Sequence, residues 1–361
     1  MAIDTTIVGG GPAGTAAGQQ LARAGYEVLI LEKMTVLGKN KICGGALSKK
    51  CFADQKLPES IVDKECSQFV VHFPEKKLGV PDKPGFVLFD RESLDRYLAQ
   101  KAVESGVRIL TSALVSDVTK SDSGLIVHYN NRRSGEQQNI RTRMIIFADG
   151  TRTMAYKKFQ IGFSTRPDET ALAVAYDLKC TDNTLDSLHF FFSDEISPFG
   201  YGWIFPKKDL VNVGVVCLLS RMRNNIRDCL DNLVSMVGLN SREVLRFGGR
   251  LIPQSCPLKL LGDSVLVVGD AAGTADPIDG GGIFNALVNG EVAGKVAVEA
   301  LEAENVTAEF LSIYEDIWKK TENYRLLQRN YLLRRMALEA NVNIGVFLNQ
   351  MGFFEGYDSL L

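Results

Sequence analysis

No C-x-x-C pair occurs among the seven cysteines, Cys43, Cys51, Cys66, Cys180, Cys217, Cys229 and Cys256. An odd, scattered set without metal-ligand spacing argues against a zinc site and a disulfide framework and points to reduced thiols, so no metal is expected. Histidine is scarce, and His72, His128 and His189 fall in no motif, so none is assigned an acid–base role. No paired-carboxylate arrangement stands out. No uninterrupted apolar run approaches the ~20 residues a membrane-spanning helix needs. An excess of charge of one sign is also missing: a net charge of −2 offers no field that would gather nucleic acid. Met1 leads almost directly into a strand at Thr5–Val8, which leaves no room for a secretory leader and makes the cytoplasm the expected compartment. There is no internal repeat and no low-complexity tract.

What is present is ordinary for a globular chain: 45% apolar and 23% charged residues. A length of 361 residues exceeds what one core usually supports, so two interleaved domains are expected. Ile3–Val8 reads as a buried strand, Pro12–Ala24 as a helix stopped by Gly25, and Glu27–Leu31 as the next parallel strand, together the opening βαβ unit of a Rossmann fold. Asp90 is a plausible N-cap for a helix over about 91–105, with Gly106 as its stop and a strand at Val107–Leu110 after it. Between Ala113 and Phe147 three β-rich stretches separated by polar turns predict a small antiparallel meander. Alternating β-branched and aromatic residues from Ala171 to Leu219 predict further antiparallel strands, with a helix near Arg223–Val237. A short strand at Ser264–Val268 then leads to a glycine-rich loop and a long helix from about Gly282 to Glu302. The tail from Tyr331 to Phe354 is rich in large apolar residues and reads as a helix packing on the core, with contact to a membrane surface as the alternative.

Gly9-Gly10-Gly11-Pro12-Ala13-Gly14 fits G-x-G-x-x-G directly after a strand and at a helix start, where backbone N–H groups and the helix dipole bind pyrophosphate. Glu32 ends the second strand eighteen residues past Gly14, where its carboxylate can accept from an adenosine ribose and would repel a 2′-phosphate. Lys33 follows it in the same turn. A dinucleotide is the expected ligand.

Val265–Ala272, followed by Asp276-Pro277 and Gly280-Gly281-Gly282, resembles the second flavin motif of the para-hydroxybenzoate-hydroxylase-like superfamily, a branch of the glutathione-reductase-like Rossmann flavoproteins. The resemblance implies FAD, with Asp270 after Gly269 holding the ribityl chain and the Gly280–Gly282 loop, ending at Ile283, close to the isoalloxazine. Asp149-Gly150 resembles the same superfamily's Asp-Gly motif, Arg91 its flavin-contacting arginine, and Val115 is included in the implied cofactor set.

A narrower resemblance is to the geranylgeranyl reductase family. Lys41-Ile42-Cys43-Gly44-Gly45-Ala46 is similar to the Cys-Gly-Gly segment that this family places beside the flavin, and Pro198–Pro206 matches its P-x-x-Y-x-W-x-F-P pattern. On a strand Tyr201, Trp203 and Phe205 share one face, with Gly200 and Gly202 opposite, so the pattern makes an aromatic wall suited to an apolar chain. Without the family resemblance, ordinary sheet packing against a helix is the commoner explanation of such a wall. Cys43 reads either as a redox-active thiol or proton source, or as a small buried hydrophobe.

The expected architecture is α/β: a Rossmann-type FAD-binding domain (1–70, 86–160 and 255–303) interleaved with an antiparallel-sheet substrate domain (71–85 and 161–254), then a C-terminal helical segment (304–361). The implied activity is hydride transfer from reduced flavin to C=C bonds of a prenyl chain or lipid. Cys43, Tyr201 and Trp203 are its candidate catalytic residues, and Gly200, Tyr201, Trp203 and Phe205 the candidate substrate residues. NAD(P)H or a ferredoxin-like protein is the expected electron donor. The alternative is an FAD-dependent monooxygenase acting on an aromatic or lipid-like substrate, which uses the same fold and flavin motifs.

Overall fold

The computed structural model describes residues 3–122, 124–181, 185–223, 225–256 and 259–354. The chain divides into one unit comprising Met1–Lys39, Asp95–Thr165 and Pro253–Tyr331, and a second comprising Asn40–Leu94, Arg166–Ile252 and Leu332–Leu361.

In the first unit the apolar run Ile3–Val8 forms the middle of a parallel sheet, with five of its six residues buried. Ile7 stands beside Ile30 of Val28–Glu32 on one side and beside Ile146 of Gln137–Phe147 on the other. Strands Arg108–Thr111 and Val265–Val267 extend the two flanks in parallel. The strand Gln137–Phe147 changes its mode of pairing along its length. Its first half closes the expected meander by antiparallel pairing with Gly124–Asn131, and its second half runs parallel to the opening strand.

Helix Pro12–Arg23 begins with proline at its first turn, where a missing N–H costs nothing, and Gly25 beyond its end adopts a left-handed φ of +91°. It packs against helix Ile283–Glu302 at backbone contact. A Cβ on Gly290 would stand 2.3 Å from Ala13 O, and one on Gly294 would stand 2.6 Å from Ala17 O. Two glycines four residues apart therefore let these helices touch along one stripe.

The second unit is a sheet whose strands run in the order Val244–Pro253, Thr170–Lys179, Leu210–Leu218, Tyr201–Pro206, Ser187–Phe191, Lys64–His72, Lys77–Leu88 and Ala46–Ser48. Ser187–Phe191 runs parallel to Lys64–His72, whereas the neighbours from Thr170–Lys179 to Ser187–Phe191 and from Lys64–His72 to Ala46–Ser48 pair antiparallel. Helix Ile226–Met236 covers one face. Leu230 and Leu233 of the helix join Val211, Val213, Val215, Leu178 and Ile204 of the sheet in a core. Its start lies three residues beyond the expected Arg223, because Asn225 caps it by accepting the Arg227 N–H at 3.0 Å.

The unit boundaries differ from the expected ones. Residues 40–70 and 86–94 belong to the second unit, whose sheet sets Ala46 opposite Leu88 and Cys66 opposite Phe86. Residues 304–331 belong with the first unit, where Trp318 and Tyr314 are fully buried, rather than forming a separate tail. Strand periodicity tells which face is buried but not which distant strand is the partner, so these assignments required the fold.

Candidate functional site

In the first unit the loops singled out by the sequence converge. Gly9 has φ +105°, and a Cβ there would lie 2.3 Å from Ala148 O and 3.2 Å from Asp149 Cα, so the first glycine loop rests on the Asp149-Gly150 turn. Gly14 has no room either, since its Cβ would meet Gly9 O at 2.1 Å. Gly11 is the opposite case: it is the N-cap residue, and among the described residues no side chain caps the helix and none lies within 4 Å of an added Cβ. That open cradle over a helix N-terminus is where a diphosphate is held by backbone N–H groups. Ala13 is a packing residue, buried against Gly269 and Gly290.

Glu32 is buried at the end of its strand. Its Oε2 accepts the Gly10 N–H and its Oε1 the Met34 N–H, both at 2.8 Å, so the carboxylate braces the glycine loop and keeps lone pairs for a ribose. Lys33 is exposed, and Val115 is buried in Ala113–Ser121. Met154 N–H donates to Asp149 Oδ2 at 2.7 Å, while the buried Asp149 Oδ1 accepts nothing from the described residues. A buried carboxylate oxygen without a donor is costly unless a ligand supplies one, so the residues here fit a flavin nucleotide.

The turn at Gly269-Asp270 packs on the first glycine motif, and the late glycine bend packs on that turn. Gly269, at φ +63°, would place a Cβ 2.9 Å from Ala13 Cβ, and Gly282 would place one 3.1 Å from Asp270 Oδ1. Of the bend's N–H groups, that of Gly280 donates to Asp276 O at 3.0 Å and that of Gly281 to Asp279 Oδ1 at 2.6 Å. The helix from Ile283 carries no side-chain cap. Its first turn, rather than Gly280 or Gly281, therefore presents the positive dipole end. Sequence reasoning missed the brace behind this loop. Asn289 Oδ1 accepts the Gly269 N–H at 3.0 Å and Nδ2 donates to Tyr314 Oη at 2.7 Å, and that hydroxyl donates to Val267 O at 2.8 Å. Burial pushes the Tyr314 phenol far above its ordinary range.

In the second unit Tyr201, Trp203 and Phe205 form a continuous row on one face, with ring centroids 6.1 and 6.4 Å apart. Phe190 packs edge-on against Tyr201 at 5.8 Å and Phe205 at 5.3 Å. The glycines on and beside the strand make room. A Cβ on Gly202 would meet Leu233 Cδ2 at 2.7 Å, one on Gly200 would meet Val216 O at 1.8 Å, and Gly214 across the ladder admits the indole edge of Trp203.

The Cys-Gly-Gly segment is seated at the Phe205 end of the row. A Cβ on Gly44 would lie 2.7 Å from the Phe205 ring and 3.8 Å from Trp203 Nε1. Gly45 has φ +64° and accepts the Phe89 N–H at 2.8 Å. The buried Lys207, one residue past the aromatic motif, donates to Phe89 O at 2.9 Å, so strand and segment are pinned at one point. Cys43 is a half-buried free thiol.

A polar chain that no motif announces lies beneath the row. The Trp203 indole donates to Asn212 Oδ1 at 2.7 Å, Asn212 Nδ2 to Asp177 Oδ1 at 2.7 Å, and Arg246 bridges Asp177 at 2.7 Å and Asp90 at 2.8 Å. Burial alone would raise the Asp90 carboxyl, but hydrogen bonds from Arg246 and the Glu92 N–H hold it below its ordinary value. Asp90 caps the helix that Arg91 begins, so the buried Arg91 is tied by covalent neighbourhood to this chain. The indole N–H points inward, which leaves Trp203 a ring surface rather than a proton donor.

Residues 4–155 match the family described as FAD dependent oxidoreductase, and residues 169–250 match the geranylgeranyl reductase catalytic domain. The chain is 32% identical over 331 residues to a digeranylgeranylglycerophospholipid reductase 2 of Methanothermobacter thermautotrophicus, covering 89% of this chain and 84% of that protein. It is also 32% identical over 347 residues to a digeranylgeranylglycerophospholipid reductase 2 of Methanopyrus kandleri, with 90% and 85% covered. Among solved structures, a geranylgeranyl bacteriochlorophyll reductase-like protein from Thermoplasma acidophilum superposes with a TM-score of 0.85 at 25% identity, covering 96% of this chain and 89% of that one.

Proposed function

The chain belongs to the geranylgeranyl reductase family of FAD-dependent oxidoreductases, and from that premise we propose that it reduces C=C bonds of a prenyl chain carried by a lipid. The observation that carries the reading is the aromatic row with the Cys-Gly-Gly segment at its Phe205 end. Such a row binds a long apolar chain by area burial of roughly 25 cal/mol per Å2, without demanding polar partners from it.

Bound FAD supplies the hydride-donating redox chemistry. In this reading the backbone of Gly9, Gly11, Pro12, Ala13 and Gly14 would hold its diphosphate, with Glu32, Lys33 and Val115 around the adenosine. Asp149, Gly150, Gly269 and Asp270 would hold its middle and Gly280, Gly281, Gly282 and Ile283 its ring end, with Arg91 assigned to the flavin by the family resemblance. Gly44 and Gly45 keep the backbone close where a side chain would intrude. Gly200 and Gly202 let the aromatic strand sit flush on its neighbours, so that the buried Tyr201 and Trp203 rings and the half-buried Phe205 share one face, the wall assigned to the substrate.

An isolated alkene accepts hydride poorly, so a proton must arrive at the second carbon and water must be kept out. Cys43 Sγ and Tyr201 Oη are the groups assigned to deliver it. The assigned electron donor is NAD(P)H or a ferredoxin-like protein. The test is anaerobic: reduce the holoprotein with dithionite, add geranylgeranyl lipids, and follow flavin reoxidation together with product mass. A gain of two hydrogens per double bond is expected. A gain of one oxygen seen only in air would replace reduction with hydroxylation.

A further inference from the structure

The two ends of the aromatic row are covered by different segments of the second unit. The Phe205 end meets the Cys-Gly-Gly segment. At the Tyr201 end the ring of Phe192 lies 5.6 Å from Tyr201. Helix Ile344–Gln350 is laid directly on that ring, so closely that a Cβ on Gly345 would stand 2.0 Å from Phe192 Cγ. Past the helix, Phe354 packs against Phe192 at 6.2 Å and against Phe73 at 5.7 Å.

This covering is anchored to the strand it closes. Asn343 caps the helix by accepting the Gly345 N–H at 3.0 Å, and its Nδ2 donates to Asp194 Oδ1 at 3.1 Å and to Gly200 O at 3.3 Å, the residue just before Tyr201. Ile344 and Leu348 are buried beneath it. With a rise of ~3.3 Å per residue, the row from Tyr201 to Phe205 is about 13 Å long between its two covers.

We propose that Phe192, Gly345 and Phe354 form the stop that sets how long a prenyl chain the row accepts. The inference rests on the reading that the chain lies along the row, with the reacting double bond at the Cys-Gly-Gly end. Each isoprene unit that finds room against the rings removes more apolar surface from water, and affinity rises roughly tenfold or more per unit. A unit that would reach past Tyr201 meets the Phe192 and Phe354 rings and adds nothing.

The experiment uses the holoprotein and a ladder of saturated prenyl alcohols, each one isoprene unit longer than the last, binding being read by displacement of a fluorescent alkyl probe. Wild type shows a break in the ladder. Phe354→Ala and Phe192→Ala move the break at least one unit longer, with a roughly tenfold gain for the first chain beyond the wild-type limit. Phe354→Leu moves it the same way by less, and Gly345→Ala, which drives Phe192 into the row, moves it shorter. No break in wild type, or a break at one length in every variant, overturns the stop. A ladder that shifts as described in a protein that reduces no prenyl chain removes the reductase reading and leaves the stop. Reduction with an unmoved break removes the stop alone.

Discussion

Trp203 and Asn212 stand on adjacent strands, and the indole N–H is held by the Asn212 side-chain oxygen at 2.7 Å with both residues buried. Because Asn212 also donates to Asp177, one amide fixes the orientation of the ring in the middle of the aromatic row. Replacing Asn212 by valine orphans a buried N–H and one carboxylate oxygen, at a cost of about 1–3 kcal/mol. Denaturant unfolding should show that loss, and the KM for prenyl substrate should rise while FAD affinity stays near wild type. An unchanged KM would show that the amide does not position the ring.

Gly11 and Gly290 predict opposite behaviour on substitution by alanine. Gly11 has open space around its missing Cβ, so Gly11→Ala should cost the apoprotein no more than the ~1 kcal/mol of putting alanine at an N-cap and weaken FAD binding by about tenfold or more, because the methyl fills the diphosphate cradle. Gly290→Ala sets a Cβ 2.3 Å from Ala13 O and should destabilise the apoprotein by at least ~1–3 kcal/mol as the two helices part. Thermal unfolding of the apoproteins and flavin-fluorescence titration separate the two effects.

Glu32 accepts the Gly10 N–H of the first glycine loop with one carboxylate oxygen and the Met34 N–H of its own turn with the other. Charge-assisted bonds of this kind are worth about 1.5–3 kcal/mol, so Glu32→Ala should raise the FAD Kd by about tenfold or more. Glu32→Gln, which keeps acceptor capacity for only one of the two N–H groups, should fall between. Equal affinity in all three proteins, measured by titration of the apoprotein with FAD, would contradict the brace.

His72 and His189 lie 117 residues apart in the chain yet share a hydrogen bond of 2.9 Å, and the His72 ring stacks on Phe191 at 4.2 Å. Burial, reinforced by His189 and Lys77, lowers the His72 imidazole from its ordinary 6.5 to about 4. Between those values the unfolded chain binds a proton that the folded chain refuses, so stability falls as pH drops from about 6.5 toward 4. His72→Phe should flatten that part of the stability profile, removing a slope of less than ~1.4 kcal/mol per pH unit. Urea unfolding of both proteins across this range checks it, and parallel profiles would refute the assignment.

Features that depend on a residue and its immediate neighbours were legible without the fold. Left-handed backbone at Gly9, Gly269 and Gly280 needs glycine, a two-residue period puts Tyr201, Trp203 and Phe205 on one face, and Asp90 reads as the cap of the helix that follows it. Each of these is a statement about local dihedrals or periodicity, and such statements survive translation from string to structure.

What the tertiary structure alone decided is partnership across long stretches of chain. Strand pairing carried residues 40–70 and 86–94 into the second unit and brought Asn212, Asp177 and Arg246 under the indole, and helix packing joined Asn289 and Tyr314 behind Gly269. It also laid Gly345 on Phe192. The residues involved are common amides, carboxylates and small side chains that form no motif. Their roles come from register and crossing geometry, set by the combined burial of many distant segments rather than by any short run of sequence.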